Sequence, residues 1–211
     1  LIDEITYDEM LEMSSSGAGV LMARSVEFGR RYNVPIIVKS TFTNNKGTVV
    51  KEKTMEEAIV SGVTHNDKEV KFTLFGVPDQ PGIAGTVFGS LSEIGTNVDM
   101  IVQNVSKESI TDISFTAPSE QQKDVEDTLK NISKQLDAKG YDVDENIARI
   151  SIIGAGMKSE SGVASKMFKT LGDNKINISM ISTSPIRVSC VISSNDIEKA
   201  LNVLHEEFIT N

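Results

Sequence analysis

The sequence predicts an α+β protein. Two modules, each a sheet with two helices in the order βαββαβ, stand behind a helix-helix-strand remnant of an α/β domain, and the first module is inserted into the second. Three observations predict this: the chain repeats itself at an offset of 80 residues, each copy switches between strand-like and helix-like apolar spacing, and the second copy ends one strand short.

Length and charge bound the rest. The 211 residues suffice for one large domain or two small ones, and 39% apolar residues are ordinary for a globular core. With 30 acidic residues against 21 Lys and Arg, the net charge of −9 gives no attraction to phosphate backbones or anionic lipid, which argues against nucleic acid and membrane as partners. Cys190 stands alone and cannot form an internal disulfide. No apolar run approaches the ~20 residues of a membrane helix, and no signal peptide is visible, so a cytoplasmic location is expected. Leu1 is not an initiator Met, so a preceding segment is expected.

In chain order, Thr6 and Glu9 make a capping-box pair that opens a helix carrying Met10 and Leu11, and the run 14–19 interrupts it. A second helix over 20–32 leads through Asn33 and Pro35 into a strand over 36–40, as at the rim of an α/β domain. Residues 1–50 form this remnant, and 51–64 a linker that ends in a strand. In the first copy, 65–147, a strand over 70–77 is broken by Pro78, Asp79, Pro81 and Gly82. Ile83, Ala84, Val87, Phe88, Leu91 and Ile94 then follow at helical spacing. Strands come next over 97–104 and 110–117, the latter alternating Ile113, Phe115 and Ala117 with Asp112, Ser114 and Thr116. Ser119 and Gln122 make a second capping-box pair for a helix lined by Val125, Leu129, Ile132 and Leu136, and 141–144 is a fourth strand. This ferredoxin-like order folds as a four-stranded antiparallel sheet with both helices on one face.

The second copy, 148–211, repeats the pattern. Within 76–101, eight residues recur at the offset of 80, among them Gly76/Gly156, Gly82/Gly162, Phe88/Phe168 and Asn97/Asn177, against roughly one or two expected by chance. Its elements are a strand over 148–153, a helix over 162–171, strands over 178–182 and 186–192, and a helix from Asn195 lined by Ile197, Ala200, Leu201, Leu204 and Phe208. Only three residues follow Phe208, so no fourth strand fits there. An open sheet edge is a pairing liability, and a strand over 58–64, carrying Ile59 and Val63, is expected to fill it.

Such a sheet with two helices is also the architecture of RNA-binding modules, which need exposed aromatics on the central strands; 97–104 has none. A free amino acid fits better. Its carboxylate suits the N-terminus opened by Gly82, Ile83 and Ala84, where amide hydrogens and the helix dipole favour an anion. Asp79 can hold the ammonium or simply cap the helix, and Gln103 and Asn104 can bond the remaining polar atoms. In the second copy Ser159 replaces Asp79, so the first module is expected to carry the main contact and the second to serve mostly as an interface.

Several features carry plainer readings. Gly154-Ala155-Gly156 lacks the third glycine of a dinucleotide fingerprint and the spacing of a P-loop, and Gly17-Ala18-Gly19 reads as a tight helix junction. His65 and His205 lack metal-ligand neighbours, Cys190 reads as core rather than nucleophile, and the methionines mostly fill buried faces.

The residues from Gly76 to Met100, with Asp79, Pro81, Gly82, Asn97, Val98 and Asp99, and then Gln103 to Ser106 and Thr111 to Phe115, resemble the first ACT module of aspartate kinases. Gly154 to Ser159 and Asn177 to Ser184 resemble the second, and stretches between Ile5 and Thr41 resemble the end of the amino acid kinase fold. Met22 departs from the family, where many relatives have His. The resemblance implies a sensor of lysine, threonine or both that restrains the first step of the aspartate pathway. It further implies a homodimer through the ACT modules, with a neighbouring subunit supplying Asn177 and Ile178 to the effector, and contact with a catalytic subunit. The family's phosphate-contacting Lys, its aspartate-binding residues and most of its nucleotide pocket would precede Leu1, so these residues alone are expected not to phosphorylate aspartate. ATP and Mg belong to the whole enzyme, and no cofactor is expected here. Met55, with Glu56, Glu57 and Ala58, resembles an internal start that yields a separate regulatory subunit, or is the first turn of a linker helix. An ACT interaction module without a small ligand is the alternative function.

Overall fold

Thr6 and Glu9 form the capping box that their spacing predicts, each side chain bonding the other's backbone amide. The structure is a computed structural model that describes residues 2–52, 58–104 and 109–210. Met55, Glu56 and Glu57 lie outside the described residues. Strand β1 (Glu4–Thr6) runs into α1 (Tyr7–Ser15), followed by α2 (Ala23–Arg31), β2 (Ile36–Val38) and β3 (Thr48–Lys51). The three strands make a sheet of order β1-β3-β2, with β1 parallel to β3. β1 and β3 were not predicted, because three or four residues carry no readable period. α2 starts at Ala23 rather than at residue 20, since Gly17 and Gly19 adopt φ of 101° and 63° and the chain unwinds between the helices. Gly17 is bare for a reason: a Cβ there would lie 2.0 Å from the His65 carbonyl oxygen. The strand expected over 36–40 stops at Val38.

Described by itself, Asp67–Ala148 is one compact unit. After β4 (Gly62–Asn66), which belongs elsewhere, it holds β5 (Glu69–Pro78), α3 (Ile83–Glu93), β6 (Ile101–Gln103), β7 (Ile110–Pro118), α4 (Gln122–Gln135) and β8 (Gly140–Asp144). The sheet order is β6-β7-β5-β8, antiparallel throughout. Phe72, Leu74, Ile113 and Phe115 are fully buried on the face covered by Val87 and Leu91 of α3 and Val125 and Leu129 of α4. Phe115 stacks on Phe72 at 5.3 Å and meets Phe88 edge-on at 5.7 Å, pairs worth about 0.5–1.5 kcal/mol each beyond burial. Two expectations fail locally. The second strand is three residues instead of 97–104, because the Met100 amide is taken by the Thr116 hydroxyl and the ladder becomes regular only at Ile101. The Ser119/Gln122 box does not form: Ser119–Gln121 is a 3-10 turn, and the Gln122 side chain turns to Glu126 and Glu145.

The second sheet has the order β10-β11-β9-β4, from β9 (Ile147–Ile153), β10 (Met180–Ser184), β11 (Arg187–Ser193) and β4. β4 pairs antiparallel with β9, Gly62 opposite Ile153 and Asn66 opposite Arg149, so the strand from before the first module completes the second. It starts four residues later than expected. Ile59 precedes it, 48% exposed, and Val63 lies on it. Helices α5 (Val163–Asp173) and α6 (Ile197–His205) cover one face over Ile150, Ile152, Cys190 and Ile192. β10 begins at Met180, two residues beyond the predicted 178.

Every residue of β9 is buried, because α1 lies on the sheet's other face. Met13 of α1 joins a cluster with Ile153 and sits over Gly62, where a Cβ would meet its methyl at 2.6 Å. Arg187 pairs with Glu12 at 3.0 Å, and Arg149, 1% exposed, donates to the Ser15 carbonyl oxygen at 3.4 Å.

Candidate effector site

The mouth of α3 is built by two glycine-dependent bends. At the end of β5 a bulge between Leu74 and Val77 is carried by Gly76 at φ 63°, whose amide donates to Asp112 Oδ1 at 2.7 Å. Gly82 then takes φ 98° as the N-cap, a conformation that side chains resist. No side chain caps this helix among the described residues, so Asp79 is not its N-cap, against one of the two readings above. Ala84 is exposed, and Ile83 is half-buried against the core.

Asp79 is exposed and donates its amide to the Ser109 carbonyl oxygen at 2.8 Å. The Asn104 carbonyl oxygen accepts the Thr111 hydroxyl, and its amide reaches Asp112 at 3.4 Å. The first residues of β7 thus lie between Asp79 and Asn104, which brings Asp79, Gly82, Gln103 and Asn104 to one end of one sheet. They do not all share a face. Gln103 stands opposite Ile113, on the helix-bearing side, while alternation sends Asn104 to the other side with Asp112. Asn177 and Ile178 belong to the other compact unit; Asn177 is exposed, and Ile178 packs partly on that core.

The second module repeats the geometry. Gly162 caps α5 at φ 94°, again without a side-chain bond, and its mouth opens into a concavity of about 420 Å3. Lys158, Glu160, Thr183 and Ser184 line it, the last two at the repeat positions of Gln103 and Asn104. Ser159, which matches Asp79, donates its hydroxyl to the Gly156 carbonyl oxygen at 3.1 Å. Comparing Ser159 with Asp79 alone missed the opposite charges on either side of it; the adjacent Lys158 and Glu160 were the signal.

The Gly154-Ala155-Gly156 turn does hold an anion, and it is the chain's own. The Ala155 amide donates to Glu9 Oε1 at 2.9 Å. Burial raises the Glu9 pKa, but hydrogen bonds from Ser61, Ala155 and Thr6 outweigh it and hold the carboxyl below its ordinary value. Burial pushes the Cys190 thiol up to about 12, so it behaves as core. His65 and His205 are exposed, and no group of three potential metal ligands stands together among the described residues. No helix among them is long and apolar enough to cross a membrane. Met10, Met13, Met100, Met167 and Met180 are buried, whereas Met22 is 75% exposed.

Comparison with known proteins agrees with this architecture. ACT domain models match residues 71–137 and 150–208. An aspartate kinase of Pseudomonas fluorescens is 45% identical over 210 residues, which are 98% of this chain and 51% of that protein. The chain therefore spans about half the length of the curated relatives it matches. The ligand-free regulatory subunit of aspartate kinase from Thermus thermophilus is 35% identical, with a TM-score of 0.68 over 71% of this chain and 99% of that one. E. coli aspartokinase III, solved with lysine and aspartate, shares the fold at 24% identity and a TM-score of 0.74, over 99% of this chain and 46% of its own.

Proposed function

Because the chain belongs to the aspartate kinase family and carries two ACT domains, we propose that it is the feedback-sensing region of such a kinase. It binds lysine, threonine or both, and controls ATP-dependent phosphorylation of L-aspartate on the way to lysine, threonine and methionine. One observation carries the reading: the uncapped, glycine-opened start of α3 stands beside exposed Asp79 and Gln103 at one end of a sheet. Backbone amides there suit the effector's carboxylate, and Asp79 suits its ammonium. A lysine complex of a protein with this fold supports the ligand class.

The module acts in the cytoplasm as a homodimer through its ACT sheets, with Asn177 and Ile178 of a second copy closing the site, and it contacts the catalytic part of the kinase. Effector binding shifts an equilibrium between two arrangements only by the difference in its affinity for them. These residues alone do not phosphorylate aspartate, and a coupled assay on the purified chain that formed aspartyl phosphate would overturn that statement. Calorimetric titration with lysine, threonine and methionine, singly and in pairs, identifies the effector. Asp79→Ala and Gln103→Ala weaken binding about tenfold or more; unchanged affinity in both would remove the site.

A second reading, that the α5 mouth takes the amino acid, is favoured by its concavity and by Lys158 and Glu160 at its rim. Lys158→Ala and Glu160→Ala, titrated beside Asp79→Ala, separate the two.

A further inference from the structure

A carboxylate withdrawn from water is costly unless its oxygens are fully engaged. Glu9 is 3% exposed, and its partners come from three stretches of chain. Oε2 accepts the Thr6 amide at 3.1 Å and the Thr6 hydroxyl at 2.7 Å, while Oε1 accepts the Ser61 hydroxyl and, at 2.9 Å, the Ala155 amide. The capping box uses one oxygen of Glu9; the other is spent on the second module.

The Ala155 end of that contact leads directly to the α5 mouth. Ala155–Lys158 is a 3-10 turn whose far end, followed by Glu160 and Gly162, lines the concavity. Residues 58–61 thread past the same turn: the Gly156 amide donates to the Ala58 carbonyl oxygen at 3.1 Å, and the Ser61 amide donates to that of Ile153 at 2.7 Å. The glycines make room for this passage, since a Cβ on Gly154 would lie 2.2 Å from the Ile59 carbonyl oxygen. The mouth loop therefore has little freedom to shift without disturbing Glu9.

At its other end α1 rests on the sheet through Arg187 to Glu12 and Arg149 to the Ser15 carbonyl. Beneath it Ser151 and Ser189 bond each other at 2.7 Å, in place of apolar side chains. Polar contacts of this kind are typical of interfaces between parts of one chain rather than of a single apolar core.

We propose that Glu9 is a latch: through Ala155 it ties the loop 154–162 at the α5 mouth to helix α1, so that a displacement of the mouth is delivered to the segment 2–52. The regulatory use of the latch rests on the second reading above, an amino acid at the α5 mouth; the latch itself does not.

Hydrogen exchange on the purified chain tests it without any effector. Glu9→Gln keeps the shape and removes the charge, and it raises exchange at Ala155 and over α1 about tenfold, while the slow amides of α5 stay unchanged. Ser61→Ala, a milder change that removes one donor, moves the same amides in the same direction. Gly162→Ala strains the mouth from φ 94° with no heavy atom within 4 Å of the new Cβ, and it speeds exchange of α1 in the native background. In the Glu9→Gln background the same substitution no longer affects α1, which is the signature of a coupling that runs through Glu9. The latch is overturned if Glu9→Gln and Ser61→Ala leave Ala155 and α1 unchanged, or if Gly162→Ala acts on α1 equally in both backgrounds. Absence of heat with every amino acid would sink the sensing role alone, and the exchange cycle would still decide the latch.

Discussion

Glu9 and Ala155, 146 positions apart, are joined by one hydrogen bond of 2.9 Å from the Ala155 amide to the Glu9 carboxylate. That bond makes the start of α1 part of the second module.

Its contribution depends on charge. The carboxyl titrates below its ordinary 4.5 in the folded chain, so the stabilisation is complete above that value and is lost as pH falls through the lower, folded one. Urea unfolding at neutral pH will place Glu9→Gln about 1–3 kcal/mol below the native chain. Repeated in steps below pH 4.5, the gap narrows; a gap independent of pH would mean that the charge is not what stabilises.

Two glycines separate strain from collision. Gly82→Ala meets nothing within 4 Å and bears only the cost of φ 98°, about 1–2 kcal/mol. Gly154→Ala sets a Cβ 2.2 Å from the Ile59 carbonyl oxygen, and relieving that means moving backbone, at about 3 kcal/mol. Thermal unfolding of the two variants gives the ranking.

Gln103 and Asn104 divide by face. Gln103→Ala weakens the effector about tenfold, while Asn104→Ala, on the side away from the helices, weakens it less than about threefold. Equal losses by calorimetry would mean that the effector reaches around the edge of β6.

Cys190, with its thiol pushed up to about 12, stays unmodified by iodoacetamide in the native chain at mildly alkaline pH and reacts in urea. Cys190→Ser buries a hydroxyl among Ile150, Ile152 and Ile192 and costs about 1–3 kcal/mol.

The repeat was legible because both copies spend the same residues on the same bends: Gly82 and Gly162 cap their helices at φ 98° and 94°. The arrival of β4 was legible from a deficit, a sheet edge that nothing downstream could fill. Motifs read from local spacing fared unevenly for a physical reason. The Thr6/Glu9 box needs only Oε2 of Glu9 and persists while Ser61 and Ala155 take Oε1, yet Ser119/Gln122 loses to Glu126 and Glu145, which take the Gln122 amide first. β1 and β3 pair across more than forty residues in a parallel ladder too short to show alternation. At the candidate site the residue types could be read, but the opposite faces of Gln103 and Asn104 depend on the register with β7, which spacing alone does not set.

Asn66 and Arg149 form the last rung of the β4–β9 ladder, so both ends of the segment 67–148 leave the sheet side by side. To that sheet the whole first module is a very long hairpin turn. A tight reverse turn grafted in its place would keep every rung from Gly62–Ile153 to Asn66–Arg149, and a foreign domain with adjacent termini could ride there instead.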